Sequence, residues 1–284
     1  MKLEEENNKI QEKLKLGIVQ GRLIESPPGF LQWFPEDDWG SEFSIASSIG
    51  IENIELIADR EHNVNNPIWS DLGINKLLNF SRNSSVNIHT LCNDHIINYC
   101  LINNIELLNQ NLDLIKIGKK LNCSKYLLPF FEESELNMSN YKQFINPLRI
   151  IADACEEVGM ILCIETILNG KELIIFLNEI NHKNIKVVLD TGNRIAFGHD
   201  LYKDIVMLNH KIEHVHIKDK NIGNENILLG TGLVNFLDVF KALKKIKYNK
   251  SYTFETNRGI NPINTCKYNI SFVNYFYSEA FSQI

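Results

Sequence analysis

Four side chains that can bind a metal ion or carry a proton lie at the ends of short apolar runs in the second half of the sequence. They are Glu165 in MILCIET, Asp190 in IKVVLD, His216 in IEHVHI and Glu255 in YTFET. One acidic residue at a strand end is more often a helix cap or a surface charge, and the HVH pair alone is compatible with two ordinary strand histidines. Four such residues at equivalent points of four successive runs instead indicate a common site. Three carboxylates and one imidazole form an oxygen-rich ligand set, which favours Mn²⁺, Mg²⁺ or Co²⁺ and is compatible with Zn²⁺.

The runs that carry Asp190 and His216 are typical of strands in a parallel sheet. Both are short, β-branched and almost continuously apolar, which suits a strand that is covered on both faces. Between them, residues 201–210 have apolar side chains at helical spacing, so this region is predicted to form a strand, a helix and a strand. Helices are also predicted over residues 141–158 and 236–245.

The same alternation extends along the chain and gives eight strands and eight helices. We therefore predict an α/β fold, a (β/α)8 TIM barrel, formed as a single domain by residues 1–284, with residues 1–14 as a charged N-terminal extension. In this fold the carboxyl ends of the strands converge on one mouth, where active sites are found. The four candidate ligands are then expected to lie close together.

The first half of the chain adds polar candidates near its predicted strand ends. Glu55 lies inside the apolar run NIELIA, where a carboxylate is costly unless it is paired, so it is either a site residue or the partner of Arg22 after the first strand. The third strand, VNIHTLCND, is expected to place His89 and Asp94 at or beyond its end. These four residues are candidates for binding hydroxyl groups.

A long loop, residues 24–39, follows the first predicted strand and contains three prolines together with several aromatic residues. Loops that follow barrel strands emerge on the catalytic face, so we expect this one to lie over the mouth. Trp33 and Phe34 would then exclude water and stack on the apolar face of a ring. The alternatives are that these aromatic residues only anchor the loop, or that the loop packs against a second subunit in a homodimer.

Composition narrows the class of protein. The chain has 284 residues, 44% of them hydrophobic, and a formal net charge of −6, which gives no broad attraction to nucleic acid or to an anionic membrane. The first residues lack the apolar core of a secretion signal, and no run approaches a membrane span. We expect a cytoplasmic protein without nucleic-acid or membrane partners. Its six cysteines contain no C-x-x-C pair and are interpreted as free thiols.

Several of these motifs resemble the xylose isomerase-like barrels, and especially the bacterial sugar phosphate isomerase/epimerase group. The resemblance covers nearly the whole chain through GIVQGRL, IELI, the ND after the third strand, CIET, VVLDTGN, HVHIKD, LGTG and FET. It implies that Glu165, Asp190, His216 and Glu255 hold one divalent metal ion, with hydroxyl and carbonyl oxygens of a small carbohydrate substrate in the open positions.

From this resemblance we expect a metal-dependent isomerase or epimerase of a sugar or sugar derivative. The metal would polarise a carbonyl and stabilise an enediolate, while Glu165 and Glu255, on opposite sides of the substrate, remove and return a proton. Lys218 and Arg258 are predicted to contact substrate because each follows a ligand closely, and Lys218 has the alternative of an ion pair with Asp219 or Glu55.

The sequence also departs from parts of this family. Ketose 3-epimerases usually carry a histidine three residues after the aspartate and an arginine six residues after the ligand histidine, where this chain has Asn193 and Ile222. Asn193 is kept as a candidate substrate contact. Apurinic-site endonucleases use the same histidine to assemble three zinc ions, so Asn193 argues against them. A metal-dependent endonuclease or phosphodiesterase, and a non-catalytic carbohydrate-binding barrel, remain the alternatives.

Overall fold

Eight parallel strands form a closed barrel in the computed structural model, which describes residues 14–282. The strands are β1 (Leu16–Val19), β2 (Asn53–Ala58), β3 (Asn87–Asn93), β4 (Lys125–Phe130), β5 (Ile161–Thr166), β6 (Ile185–Asp190), β7 (Ile212–Ile217) and β8 (Tyr252–Phe254). Each strand pairs with its neighbours in sequence, and β8 closes the barrel by pairing with β1. The predicted (β/α)8 TIM barrel is confirmed. Residues 1–13 of the predicted N-terminal extension lie outside the described residues.

Nine α-helices, instead of the predicted eight, occur within residues 14–282. They are α1 (Ser41–Ser48), α2 (Asp71–Ser84), α3 (Ile105–Lys120), α4 (Tyr141–Val158), α5 (Gly170–Ile180), α6 (Thr191–Ala196), α7 (Leu201–Leu208), α8 (Phe236–Lys245) and α9 (Pro262–Ser282). The additional helix is α6, which begins directly after β6 because the side chain of Asp190 accepts a hydrogen bond from the backbone N–H of Asn193 and caps it. None of the described helices has both the length and the apolar character needed to cross a membrane.

The helices cover the barrel through apolar stripes that follow from their sequences. In α4, Phe144, Leu148 and Ile151 recur at helical spacing and are fully buried. The helix ends at Gly159, whose φ of 79° lies in the left-handed region that glycine adopts without steric cost. All six cysteines are free, and five of them are buried, in agreement with their interpretation as thiols.

Alternate residues of each strand point into the barrel, whose interior is separate from the larger core beneath the helices. Part of this interior is a small apolar cluster formed by Cys92, Leu127, Cys163 and Val188. Two residues further along their strands, the same alternation brings Asp94, Glu165 and Asp190 to the carboxyl ends, and all three are buried. The barrel thus changes from apolar to acidic toward its mouth.

Candidate active site

A cavity of about 940 Å³ opens at the carboxyl ends of the strands. Its walls come from these strand ends and from the loops that follow them. The predicted site residues on its wall are Arg22, Trp33, Glu55, Asp94, Glu165, Asn193, His216, Lys218 and Glu255. Asp190 is 1% exposed and lies behind this wall. The cavity is large enough for a small organic ligand.

The four predicted metal ligands meet around the ring of His216. Its Nδ1 lies 3.6 Å from Glu165 Oε2, 3.8 Å from Asp190 Oδ2 and 3.0 Å from Glu255 Oε2. Glu165, Asp190 and His216 each offer a ligand atom, and these atoms lie within 4.8 Å of one another. Residues from four different strands or strand ends are therefore brought to one point.

These residues fit a divalent cation. Asp190 Oδ2 and His216 Nδ1 are buried, and within residues 14–282 neither has a hydrogen-bond partner of good geometry. Buried polar atoms without such partners are costly, and a cation bound between them would satisfy both. Carboxylate oxygens with one imidazole nitrogen are a donor set that hard and borderline divalent ions accept.

Lys218 is inserted into this acidic group. Its Nζ lies 3.1 Å from Asp190 Oδ2 and 2.9 Å from Glu255 Oε2. The alternative ion pairs with Asp219 or Glu55 are therefore wrong. The reason is the alternation of the chain after β7: Lys218 continues the inward-facing series, whereas Asp219 points away and accepts backbone hydrogen bonds from the loop at residues 230–234.

Burial and neighbouring charges shift the pKa values of Glu255 and Asp190 in opposite directions. Burial alone would raise the pKa of Glu255, but Lys218, His216 and Arg22 together outweigh it and hold that pKa well below its ordinary value. Burial raises the pKa of Asp190 to about 6; Lys218 opposes this rise, and the negative charge of Glu165 adds to it. Without an added cation, the carboxylates therefore do not ionise equally.

Glu55 lies on the cavity wall, but its partner is not Arg22. Its Oε2 is 2.9 Å from His214 Nε2, and its Oε1 is 3.1 Å from His216 Nε2. Burial tends to raise the pKa of Glu55, and the two imidazoles outweigh it and keep that pKa well below its usual value. Burial lowers the pKa of His214 to about 3, so this ring is neutral. The sequence indicated the HVH pair but assigned no role to His214.

Arg22 pairs with other groups at the edge of the cavity. Its guanidinium donates to the carbonyl oxygen of Thr256 at 3.1 Å and to Oε1 of Gln32 at 2.7 Å, and it lies 3.7 Å from Oε1 of Glu255. Arg22 thus contacts one predicted ligand and also joins the loop after β1 to the segment after β8.

Asn193 and Asp94 have separate surroundings. The side-chain N–H of Asn193 donates to Oε1 of Glu165 at 2.7 Å, so Asn193 fixes the orientation of a predicted ligand. Asp94 accepts a hydrogen bond from the thiol of Cys92 at 3.3 Å, and burial raises its pKa to about 7. Both residues border the cavity.

Two predicted substrate contacts lie elsewhere. His89 is the third residue of β3, at its amino-terminal end, where it contacts Ser124 and borders a separate hollow of about 490 Å³. Its prediction is wrong because the strand begins at Asn87 and continues to Asn93. Arg258 does not border the cavity; it donates to the carbonyl oxygens of Gly21, Phe30 and Leu31 at 2.7, 3.0 and 2.8 Å.

The loop at residues 24–39 forms one wall of the cavity, as expected. Trp33 is partly exposed and Phe34 is 3% exposed, and both border the cavity. Because Arg258 binds the backbone of this loop, the loop is attached to the segment after β8. Its function as a lid stays a prediction.

The outer wall contains residues that the sequence did not single out. Phe131 and Phe197 stack with ring centroids 6.2 Å apart and planes at 18°. Arg60 forms two hydrogen bonds with the carboxylate of Glu132, at 2.9 and 3.1 Å. Each of the four lies in a segment that follows a strand, which is the signal that would have found them.

Comparison with known proteins gives three related results. A family model described as xylose isomerase-like TIM barrel matches residues 43–274. The chain is 28% identical to a ketose 3-epimerase of Arthrobacter globiformis over 167 residues, 53% of this chain and 54% of that protein. It is 34% identical to an L-ribulose 3-epimerase of Methylomonas sp. over 87 residues, 31% of this chain and 29% of the relative. The chain thus spans about half the length, or less, of these relatives.

Solved structures agree on the fold. A xylose isomerase domain protein from Planctomyces limnophilus superposes with a TM-score of 0.75 at 11% sequence identity, covering 95% of this chain and 99% of that one. At this identity the similarity concerns the fold alone.

Proposed function

Because the chain belongs to the xylose isomerase-like TIM-barrel family, we propose that it is an isomerase or epimerase that acts on a sugar or sugar derivative with the help of one divalent metal ion. The observation that carries this proposal is the convergence of three carboxylates on the ring of His216 beside the cavity. The similarity to a ketose 3-epimerase over half of the chain supports it.

The two glutamates of this group are suited to move a proton. Glu165 lies on β5 and Glu255 directly follows β8, three strands further around the barrel, so they reach a bound substrate from different sides. One carboxylate removes a proton from the carbon beside the substrate carbonyl, and the other returns a proton on the opposite face or at the neighbouring carbon. A divalent cation held by Glu165, Asp190, His216 and Glu255 would supply the Lewis acid that polarises the carbonyl.

Neighbouring side chains keep both bases in place. Asn193 donates to Glu165 at 2.7 Å, and the Lys218 ammonium lies 2.9 Å from Glu255. Trp33, on the facing loop, borders the cavity, where its indole would limit the access of water.

The charge of the cavity wall favours a neutral substrate. Eight carboxylates border the cavity, against four lysine and arginine side chains. Of these four, Arg60 is paired with Glu132, and Lys218 is paired with Asp190 and Glu255. Such a wall disfavours both a phosphorylated sugar and the phosphodiester backbone that an endonuclease must bind.

Proton transfer through solvent-exchangeable carboxylates predicts that a converted sugar takes up deuterium from D₂O at the carbon that reacts. The measurement is mass spectrometry or NMR of ketoses, aldoses and inososes, each with and without a phosphate group, incubated with Mn²⁺-loaded protein. We expect conversion and exchange with an unphosphorylated member of the panel. Conversion without exchange would indicate a hydride shift, and no conversion of any member would contradict the proposed activity.

A second prediction concerns Lys218, whose ammonium is in contact with two proposed ligands. Two unit charges about 4 Å apart interact by about 4 kcal/mol at a protein surface, so this lysine opposes the entry of a dication. The Lys218→Met variant is expected to bind Mn²⁺ at least about tenfold more tightly, as measured by calorimetric titration, and to turn over sugar more slowly.

The matched control is Lys220→Met, which removes the same charge from the same cavity wall. It is a suitable control because Lys220 donates to Asn224 instead of pairing with the proposed ligands. Its Mn²⁺ affinity is expected to stay within a few-fold of the original. Weaker Mn²⁺ binding by Lys218→Met would mean that the lysine supports the ligand geometry and does not compete with the metal.

A further inference from the structure

A chain of four polar residues, joined by two hydrogen bonds and one ion-pair contact, crosses the interior of the barrel. It begins at Lys125 on β4, whose Nζ lies 3.3 Å from His214 Nδ1, and continues from His214 Nε2 to Glu55 Oε2 at 2.9 Å. Glu55 Oε1 then lies 3.1 Å from His216 Nε2. All four residues are at most 3% exposed, so the chain is enclosed by protein.

The chemistry of the partners fixes which nitrogen of each imidazole carries a proton. An ammonium group can only donate, so His214 accepts at Nδ1 and carries its proton on Nε2, which faces Glu55; a carboxylate can only accept, so His216 donates to Glu55 at Nε2. His216 therefore carries a proton on Nε2. Its other nitrogen, Nδ1, faces Glu165, Asp190 and Glu255.

We propose that Glu55 is a positioning residue that fixes the orientation and the tautomer of His216 for metal binding, and that His214 and Lys125 in turn fix Glu55. This inference rests on the proposed function only through its metal site. Both oxygens of Glu55 are engaged by imidazoles, which replaces the expectation that this residue contacts substrate. Partners of this kind typically change metal affinity by 10- to 100-fold.

A second metal ion is the competing interpretation, because ligand atoms of Glu55, His214 and His216 also lie within 4.8 Å of one another. Two contacts oppose it. The Lys125 ammonium, 3.3 Å from His214, would repel a dication. The ring of His216 would also have to bridge two ions through its two nitrogens, since Nδ1 already faces the first group of ligands.

The Glu55→Gln variant tests the proposal. Glutamine has nearly the same shape, but only its amide oxygen can accept a hydrogen bond. Its NH₂ group faces one of the two imidazole N–H groups, so that imidazole loses its acceptor. We expect the apparent Kd for Mn²⁺, measured by calorimetric titration, to rise 10- to 100-fold. The ¹⁵N chemical shifts of the His216 ring in the metal-free protein are expected to change at the same time.

The control is Glu213→Gln on β7, next to His214 in sequence. Glu213 is buried like Glu55, but its carboxylate pairs with Lys250. This substitution makes the same chemical change on the same strand as the two histidines. We expect Mn²⁺ affinity and the His216 ring shifts to stay as they are in the unmodified protein.

A second pair of variants tests the chain even if Glu55→Gln does not fold. His214→Leu removes the donor to Glu55, whereas His214→Gln retains an N–H that can reach it. We expect His214→Leu to weaken Mn²⁺ binding and His214→Gln to restore much of the affinity. Thermal melting of each metal-free variant identifies any that are unfolded.

Two results would overturn the proposal. One is a Glu55→Gln protein that folds and keeps the original Mn²⁺ affinity and His216 ring shifts. The other is binding of two Mn²⁺ ions per chain with one of them lost in His214→Leu, which would make these residues a second metal site. If Mn²⁺ affinity depends on Glu55 as expected but no sugar is converted, the proposed reaction fails and the positioning role stands.

Discussion

Replacing Glu255 by glutamine is expected to lower the rate of proton exchange by roughly 10²- to 10⁴-fold, the usual contribution of a positioned acid or base. An amide cannot take up the proton that a carboxylate accepts, although it occupies nearly the same space. The surroundings of Glu255 favour its charged form, because Lys218 at 2.9 Å, together with His216 and Arg22, outweighs the effect of burial and holds the pKa well below its usual value. The carboxylate is therefore ionised and ready to act as a base.

The measurement is deuterium exchange at saturating Mn²⁺, so that loss of a ligand is not mistaken for loss of a base. Exchange is followed separately from each of the two interconverting sugars, because in a mechanism with two bases Glu255 removes the proton from one sugar and Glu165 removes it from the other. The control is Glu213→Gln, which changes a buried carboxylate that pairs with Lys250. A Glu255→Gln protein with unchanged exchange and turnover would instead favour a non-catalytic, carbohydrate-binding barrel.

Removal of the metal ion with a chelator is expected to abolish turnover and to lower the melting temperature. Three carboxylates lie around His216, and burial has already raised the pKa of Asp190 to about 6. A cation that binds only the folded state at 100 times its Kd adds about 2.7 kcal/mol of stability. For a chain of this size such a change amounts to several degrees.

This prediction is checked by calorimetric melting and by activity before chelation, after chelation and after return of Mn²⁺, Mg²⁺, Co²⁺ or Zn²⁺. Turnover and melting temperature should recover when one ion per chain has been returned. A chelated protein that keeps its melting temperature and its turnover would contradict a metal-dependent mechanism, while leaving the fold unaffected.

Much of the fold could be predicted because its elements have strong local patterns. The bounds of α4, Tyr141–Val158, and α8, Phe236–Lys245, agree with prediction, since their apolar residues recur at helical spacing. Helix α6 was missed because six residues are too few to show a period, and it depends on a single capping contact from Asp190.

Some features of the candidate site could likewise be predicted from the sequence, and others could not. The meeting of Glu165, Asp190 and His216 follows from the fold, because barrel geometry brings successive strand ends together. The position of His89 depends on where β3 begins, and a shift of a few residues moves a side chain from one end of the barrel to the other. The partner of Glu55 was also not predictable, because His216 lies 161 residues away in sequence and only the closed barrel brings them together.

The attachment of Arg258 to the loop after β1 limits how this barrel can be recombined with others. The guanidinium donates to the backbone of Phe30 and Leu31, which are 228 and 227 residues away in sequence. A chimera that received the loop from one barrel and the β8 segment from another would leave those carbonyl oxygens without their donor. The two segments therefore form one transferable part, and an engineer who wishes to exchange the cavity wall has to move both together.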